Sequence, residues 1–594
     1  IDPEFVSEGD LHVQDYQLDD LGYPAAGVGD DIDGEVRHMT LPDIGADEWT
    51  TPVNDAGITS IDQGQTYCID NDYVYATIKN FGTSNLTSAT INWEVNGVPQ
   101  TPYNWTGNLA QGSSDGPVNI GFYDFALGTS YTVKVYSDSP NGGIEGFNHN
   151  DTSEVSNTYQ AMSGTYTIGG TSPDYMTIND ALADLHNGGV CGPVVFNIRS
   201  GVYNVQESIN DIQGTSSVNT VTFKSENNDS TLVVWTYTPS SGSNYTVQFN
   251  GADYVILEKL TLKAVGLTYA TVIAIESNST YNIIRNCIIE GSTELSTSSS
   301  LSLVYCNDNG TDGNVFENNH FKNGSYGIYY YASTTVNDIE VNNNFFENQY
   351  YYGIYSRYTD AIRVSNNEIT NLSASYSDYR AIRLYYCDYD IEVTKNELDL
   401  AQGYGLYYSY CNGSSSNRGL TANNFVHVGG SGSSEHGIYV SNSDYQNYYY
   451  NSVNMTSTYT GNSAFYLPNE SSTYSDYIQL QNNIFTNYGG GYAIYVYETG
   501  AVNSTDYNNL YTTGSRFARY YTTDHSDLSS WQSATSKDLN SVSIDPEFVS
   551  EGDLHVQAYQ LDDLGYPAAG EGDDIDGEVR HMTLPGIGAG EWTR

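Results

Sequence analysis

The chain has 594 residues, with 72 Asp or Glu against 20 Lys or Arg, a formal charge of −52. That excess excludes nucleic acid and anionic lipid as natural partners, because both need a basic patch that releases counterions. Only 15% of residues are charged and 39% are hydrophobic, while 56 Tyr and 57 Gly favour strands and turns, so neither a disordered acidic tail nor a helical protein fits. No apolar run reaches the length, about 18 residues, of a membrane span.

Residues 1–50 return at 544–593 with an offset of 543. Only four positions differ: Asp15/Ala558, Val28/Glu571, Asp43/Gly586 and Asp47/Gly590. Folding constraint alone does not hold two copies so close, which points to tandem duplication of a 543-residue unit. A single unit with matching segments at its two ends is the other reading. On the first, residues 1–50 close the preceding unit, 51–160 and 161–543 are the body of this one, and 544–594 close it.

Within 51–160, alternation in Tyr73–Ile78 and Ala89–Val95, with turn signals at Asn80-Phe81-Gly82 and Asn96-Gly97, predicts a β-sandwich. The stretch VYATIKNFGTSNLTSATINWEVNGV resembles the Ig-like adhesion domains that bacteria string along surface proteins. Tyr175–Leu185 then sets Ile178, Ala181, Leu182 and Leu185 on one helical face, followed by a buried-strand signal at Gly192–Ile198. The pair reads as a helix capping a parallel stack and the first coil of that stack.

Beyond it an Asn followed two residues later by an apolar residue recurs about every 28 residues, at Asn286, Asn319, Asn344, Asn367, Asn396, Asn424, Asn451, Asn483 and Asn509. Gly-Ile-Tyr or a close variant rides at the same period, at Gly327, Gly353, Gly405, Gly437 and Ala493. Two motifs sharing one drifting period predict an all-β solenoid, a right-handed parallel β-helix of about 13–14 coils, with the Asn side chains as an internal ladder. The entry SGTYTIGG…YMTINDALADLHNGGVCGPVVFNI and the closing DPEF…GDLHV…GDDIDGEVR…DIGADE resemble extracellular bacterial right-handed β-helix proteins of the pectate-lyase-like kind. The resemblance implies export but holds lyases, glycosidases, adhesins and fibres alike.

Candidate chemistry is sparse. Asp338, Asp360 and Asp390 each open a strand before a ladder Asn, with Arg363 and Lys395 nearby, and would form a lyase constellation, but Asp residues satisfying the backbone of corner turns are the plainer explanation. Asp30, Asp31 and Asp33, repeated as Asp573, Asp574 and Asp576, form part of a calcium-loop pattern, so Ca²⁺ is the one cofactor considered and none is required. Cys387 and Cys411 share a register on adjacent coils, as a disulfide or as two stacked thiols. Consecutive tyrosines at 329–331, 350–352, 385–386, 407–408 and 448–450 predict aromatic ladders.

The expectation is thus a structural or adhesive unit of a long extracellular fibre, its partners being neighbouring units, glycans or other fibres. A polysaccharide lyase or glycosidase is the enzymatic alternative, and a carbohydrate-binding surface built of Tyr ladders the third.

Overall fold

The computed structural model describes residues 21–34, 36–46, 52–62, 66–68, 73–144, 148–372, 376–433, 435–469, 475–568 and 572–590. They divide into two units, residues 1–163 with 183–191, and residues 164–182 with 192–594.

In the first unit, Ala56–Ile61, Tyr73–Asn80 and Ser114–Phe122 form an antiparallel sheet. Leu86–Val95 pairs antiparallel with Tyr103–Leu109 and with Tyr131–Asp138. Period-two alternation sends Val74, Ala76 and Ile78 from one sheet and Ile91, Trp93 and Val95 from the other into a common core. Asn96 and Gly97 both adopt positive φ (49° and 73°), the two-residue turn that matches strand twist.

The second unit is a stack of coils. Each coil gives one strand to each of three parallel sheets. The first sheet runs from Val190–Ile198 to Val502–Asp506, the second has 12 strands from Gly201–Asn204 to Asn509–Thr512, and the third has 12 parallel strands from Glu207–Asn210 to Ala518–Tyr520 with Thr523–His525 added antiparallel at its end. Register is kept coil to coil: Val364 lies on Val393, Ile369 on Leu398 and Ile382 on Leu406. This is a right-handed parallel β-helix with 12 parallel strands in its second sheet and 12 in its third. The amphipathic helix, α1, spans Ile178–Gly188 and buries Ile178, Ala181, Leu182 and Leu185. It starts three residues later than the apolar pattern because Thr177 and Asp180 exchange capping bonds at 3.1 Å.

The corner between the first and second sheets explains the Asn repeat. One residue turns the chain in the left-handed region, as at Asn318, Asn343, Asn366, Lys395, Asn423 and Asn482. The next points its side chain inward. Asn396 Nδ2 donates to Val364 O at 2.8 Å and to Asn424 Oδ1 at 3.0 Å, and Asn396 Oδ1 accepts from Asn367 N and Nδ2. The same bonds link Asn319, Asn344, Asn367, Asn396, Asn424, Asn451 and Asn483 in sequence. Asn286 and Asn509 do not belong to this column. Asn286 is the left-handed residue itself and Cys287 N donates to Asn319 Oδ1. At the far end Asn508 takes the bond from Asn483, and the ladder ends on the buried carboxylate of Asp538.

The Gly-Ile-Tyr motif reads as three separate demands. A Cβ on Gly405 would meet Gly437 O at 2.6 Å, the isoleucine enters the core, and the tyrosine faces out. The stack ends on a second helix, α2 (Leu528–Thr535), whose Trp531 Nε1 donates to Asp538, and on the antiparallel hairpin Ala518–Tyr520 with Thr523–His525. That hairpin turns the last strand away from further parallel pairing.

One buried group makes the coils acid-sensitive. Burial pushes His436 down to about 3, and its ring stacks on Tyr466 at 4.0 Å. The unfolded chain takes up this proton below about pH 6.5 and the folded chain does not, so stability is present above that pH and falls as pH drops toward 3. The expected loss is on the order of 4 kcal/mol. Urea midpoints measured from pH 7 to pH 3.5 check it, and His436→Gln should flatten the dependence.

Candidate functional site

The third sheet carries an outward column that runs the length of its central coils. Tyr305, Tyr329, Tyr355, Arg383, Tyr407, Tyr439, Tyr466, Tyr495 and Arg519 pair in register, each on the next coil. Tyr305 and Tyr329 stack at 5.2 Å with planes 7° apart, and Tyr407 and Tyr439 at 4.2 Å, also 7°. Arg383 interrupts the column, its guanidinium 5.3 Å from the Tyr355 ring and 5.4 Å from Tyr407. Beside it Arg380 lies over Tyr404 and Tyr407 and donates to Tyr352 OH at 2.6 Å. On the other side Arg357 sits between Tyr331 and Tyr385.

The spacing follows from the fold. Strands about 4.8 Å apart hold aromatic rings at stacking distance, and a planar guanidinium substitutes for a ring without breaking the column. Burial pushes the Tyr329 phenol up to about 12, so the tyrosines stay neutral and the arginines set the local sign. Arg380 and Arg519 have carboxylate partners in Asp378 and Asp524, whereas among the described residues Arg357 and Arg383 have none within 4.0 Å. In a chain of charge −52 that is a local positive patch. Because ring faces are covered by their neighbours in the column, the face presents ring edges, phenol hydroxyls and guanidinium edges.

A second site lies on the outer side of the second sheet, where residues 544–568 and 572–590 run back along the coils. Asn509, outside the ladder, anchors the start: its side chain donates to Ile544 O at 2.8 Å and accepts from Ile544 N at 2.9 Å. Farther on, Asn482 Nδ2 donates to Tyr566 O at 2.7 Å and Ala589 N to Ser452 Oγ at 3.0 Å. Arg580 is buried. Its Nη2 donates to Asn423 Oδ1 at 2.7 Å and to the carbonyls of Gly588 and Ala589 at 2.9 Å, with the guanidinium 3.9 Å from the Tyr450 ring.

Between this segment and the coils lies a pocket of about 280 Å³ lined by Glu368, Glu397, Asp399, Phe425, Asp553 and His555. His555 is held between Asp553 at 2.6 Å and Asp576 at 2.7 Å. Burial works against its charge, but the two carboxylates outweigh burial and raise it. Burial and the neighbouring Glu368 raise Glu397. The two sides of this pocket, Glu368 to Phe425 and Asp553 to His555, lie more than 120 residues apart in sequence, and spacing along the chain carries no sign of it.

The residues singled out from the sequence are dispersed. Asp338 and Asp390 share one corner column, both at positive φ, with Ala361 between them in register, and Asp360 stands one residue off it. Asp360 accepts instead from Asp388 N at 2.9 Å. Arg363 lies 3.5–3.8 Å from Asp338, Glu340 and Glu392. Lys395 belongs to the opposite corner and pairs with Asp573 at 2.8 Å. The acids of the Asp-rich loop diverge likewise. Asp574 accepts from the backbone N–H of Asp576 and Glu578, Asp576 pairs with His555, and in the first copy Asp31 accepts from Asp33 N at 2.9 Å. Asp30 engages by its backbone, bridging to Val36. Cys387 and Cys411 are buried thiols in hydrogen-bonding contact rather than a disulfide, and Cys387 also meets Thr359 Oγ1 at 3.1 Å.

Residues 225–429 match the family model described as NosD, periplasmic copper-binding protein. Among solved structures, a pectin methylesterase from Aspergillus niger is 17% identical, with 43% of this chain and 87% of that one covered and a TM-score of 0.28. The catalytic domain of a GH87 alpha-1,3-glucanase is 12% identical, with 81% and 92% covered and a TM-score of 0.23. No curated protein sequence matches the chain. The stacked coils, together with the match across residues 225–429, make this chain similar to the right-handed parallel β-helix proteins of the pectate-lyase-like kind.

Proposed function

We propose that the chain is a structural and adhesive unit of an exported tandem-repeat fibre. One observation carries the reading. A closing segment that lies along the flank of one β-helix returns, almost unchanged, 543 residues away. A catalyst gains little from near-identical units in series, whereas reach and multivalency grow with each one. The periplasmic family description supports export, and no helix among the described residues is long and apolar enough to cross a membrane. The copper in that description is not carried over, because among the described residues no group of three or more His, Cys, Asp or Glu side chains is arranged to hold a metal ion. A denaturing gel of native material tests the reading. Covalent species far longer than 594 residues are expected, and chains of about this length alone would refute it.

The third sheet favours a second role, glycan binding. Arg357 and Arg383, without carboxylate partners in so acidic a chain, suit an anionic polysaccharide whose carboxylates take guanidinium edges while its hydroxyls meet the phenols. Replacing both by alanine is expected to weaken retention on an immobilised polyuronate at least about tenfold, equivalent to about 1.4 kcal/mol. Unchanged retention would leave the column a purely structural seam.

A further inference from the structure

Over their described residues, 21–46 of the first copy and 564–589 of the second fold alike but are buried differently. In the first, Ile32 N donates to Ala46 O at 2.9 Å, Gly22 N to Pro42 O at 2.6 Å and Arg37 Nη2 to Gly45 O at 2.9 Å. In the second, Ile575 N donates to Ala589 O at 3.0 Å, Gly565 N to Pro585 O at 2.7 Å and Arg580 Nη2 to Gly588 O at 2.9 Å. Outward side chains agree between them: Met39 and Met582 are both 86% exposed, and Val36 and Val579 are 77% and 80%. Side chains on the opposite face do not. Ile44 is 52% exposed against 2% for Ile587, Tyr23 93% against 55% for Tyr566, and Ala46 is exposed where Ala589 is fully buried.

The bare face has a shape as well as an apolar surface. A hollow of about 730 Å³ is lined by Tyr23, Asp30, Ile32 and Arg37. At the same place in the second copy sits the ring of Tyr450, under Arg580, with its hydroxyl donating to Tyr566 O at 3.2 Å.

We infer that residues 21–46 are a docking element whose partner is the β-helix of a second copy of this unit. The receiving surface is the outer side of the second sheet, at Lys395, Asn423, Phe425, Tyr450, Ser452 and Asn482. In an array this copy is the preceding unit, an identity that rests on the tandem reading above. The docked copy is the template, since the two segments share their internal hydrogen bonds and differ in what covers one face. Two of the four differing positions can be compared directly. Ala558 precedes the short helical turn Tyr559–Leu561 without a side-chain cap, and its counterpart Asp15 supplies the carboxylate that such a position favours. A Cβ at Gly590 would stand 3.1 Å from the His555 ring, a tight contact that asks this half-exposed imidazole to shift slightly for an acid there, as in Asp47. Asp15, Asp47 and Glu571 themselves lie outside the described residues.

Two variants of the full chain test this. In one, Ala558→Asp, Glu571→Val, Gly586→Asp and Gly590→Asp give the second copy the sequence of the first. Zero-length carbodiimide coupling of Lys395 to Asp573, 2.8 Å apart, should persist at its wild-type yield. In the other, Ile587→Asp unseats the resident segment and opens the flank. Light scattering should then show association that grows with concentration, and adding Ile44→Asp should abolish it, while the wild type stays at one chain. Loss of the coupling in the first variant, or a folded Ile587→Asp chain that remains monomeric, overturns the inference. Should Ile587→Asp unfold, the coupling decides alone. Short native chains with successful docking would end the covalent-array reading and leave this one standing; long native chains with failed docking would do the reverse.

Discussion

Replacing Asn396 by leucine is expected to lower the stability of the β-helix by about 3–5 kcal/mol, the largest effect of any exposed or buried polar change in the coils. Asn396 is fully buried and its amide is saturated: it donates to Val364 O and Asn424 Oδ1 and accepts from Asn367 N and Nδ2. Leucine fills the volume but removes the donor to the Val364 carbonyl and the acceptor of Asn367 N and of one Asn367 Nδ2 hydrogen, the other keeping Val341 O, and each group so orphaned in a dry core costs about 1–3 kcal/mol. The control is Asn366→Ala at the residue before a ladder position. Asn366 has φ of 54° and its side chain bonds only to Asn342 Oδ1 at the surface, at 3.2 Å. Its replacement should cost about 1 kcal/mol, from backbone strain alone. Urea unfolding of the two variants checks both numbers; equal losses would mean that the column contributes no more than its backbone.

Arg580→Ala should detach the closing segment without unfolding the coils. The guanidinium holds three hydrogen bonds and the Tyr450 ring in a buried site, and a charge-assisted bond is worth about 1.5–3 kcal/mol. We expect the segment to lose about 3 kcal/mol of docking free energy, read as hydrogen exchange at Ile575 and Gly588 rising on the order of 100-fold. Arg580→Lys should rescue little, because a single ammonium cannot reach two carbonyls and an amide oxygen in one plane while covering a ring. Ladder amides such as Asn396 N should exchange as before. A variant in which the whole coil stack loosens would show that segment and stack form one cooperative unit.

The coil was legible because its period is long, repeated and carried by two motifs at once. Local ambiguity, by contrast, defeated single positions. Each first-to-second-sheet corner has two residues, often both Asn, and Asn-x-apolar matches either member. At Asn508-Asn509 and Asn286-Cys287 the pattern selected the wrong one, since only the φ angle and the hydrogen bonds separate them. Asp360 failed the same way, one residue from the column that holds Asp338 and Asp390. The tyrosine column was legible from Gly-Ile-Tyr, but Arg383 and Arg519 within it were not, because the motif breaks where a guanidinium takes the place of a ring. The pocket around His555 and the seat of Arg580 lay beyond any reading of spacing. They join a segment to coils more than 120 residues earlier, and such contacts leave no periodicity.

The repeat at 544–593 was plain in sequence, yet its meaning depends on burial. Identical residues in two settings, Ile44 exposed and Ile587 buried, turn a sequence coincidence into a statement about what each copy is shaped to cover.

Electron microscopy of native material tests the central claim most directly. The stacked coils of one unit rise about 55 Å, from 12 parallel strands at roughly 4.8 Å each. The account predicts unbranched filaments with one uniform axial repeat, unchanged from one filament to the next. Isolated particles of a single β-helix, with no filament at any concentration, would contradict it and leave the glycan-binding face of the third sheet as the function to pursue.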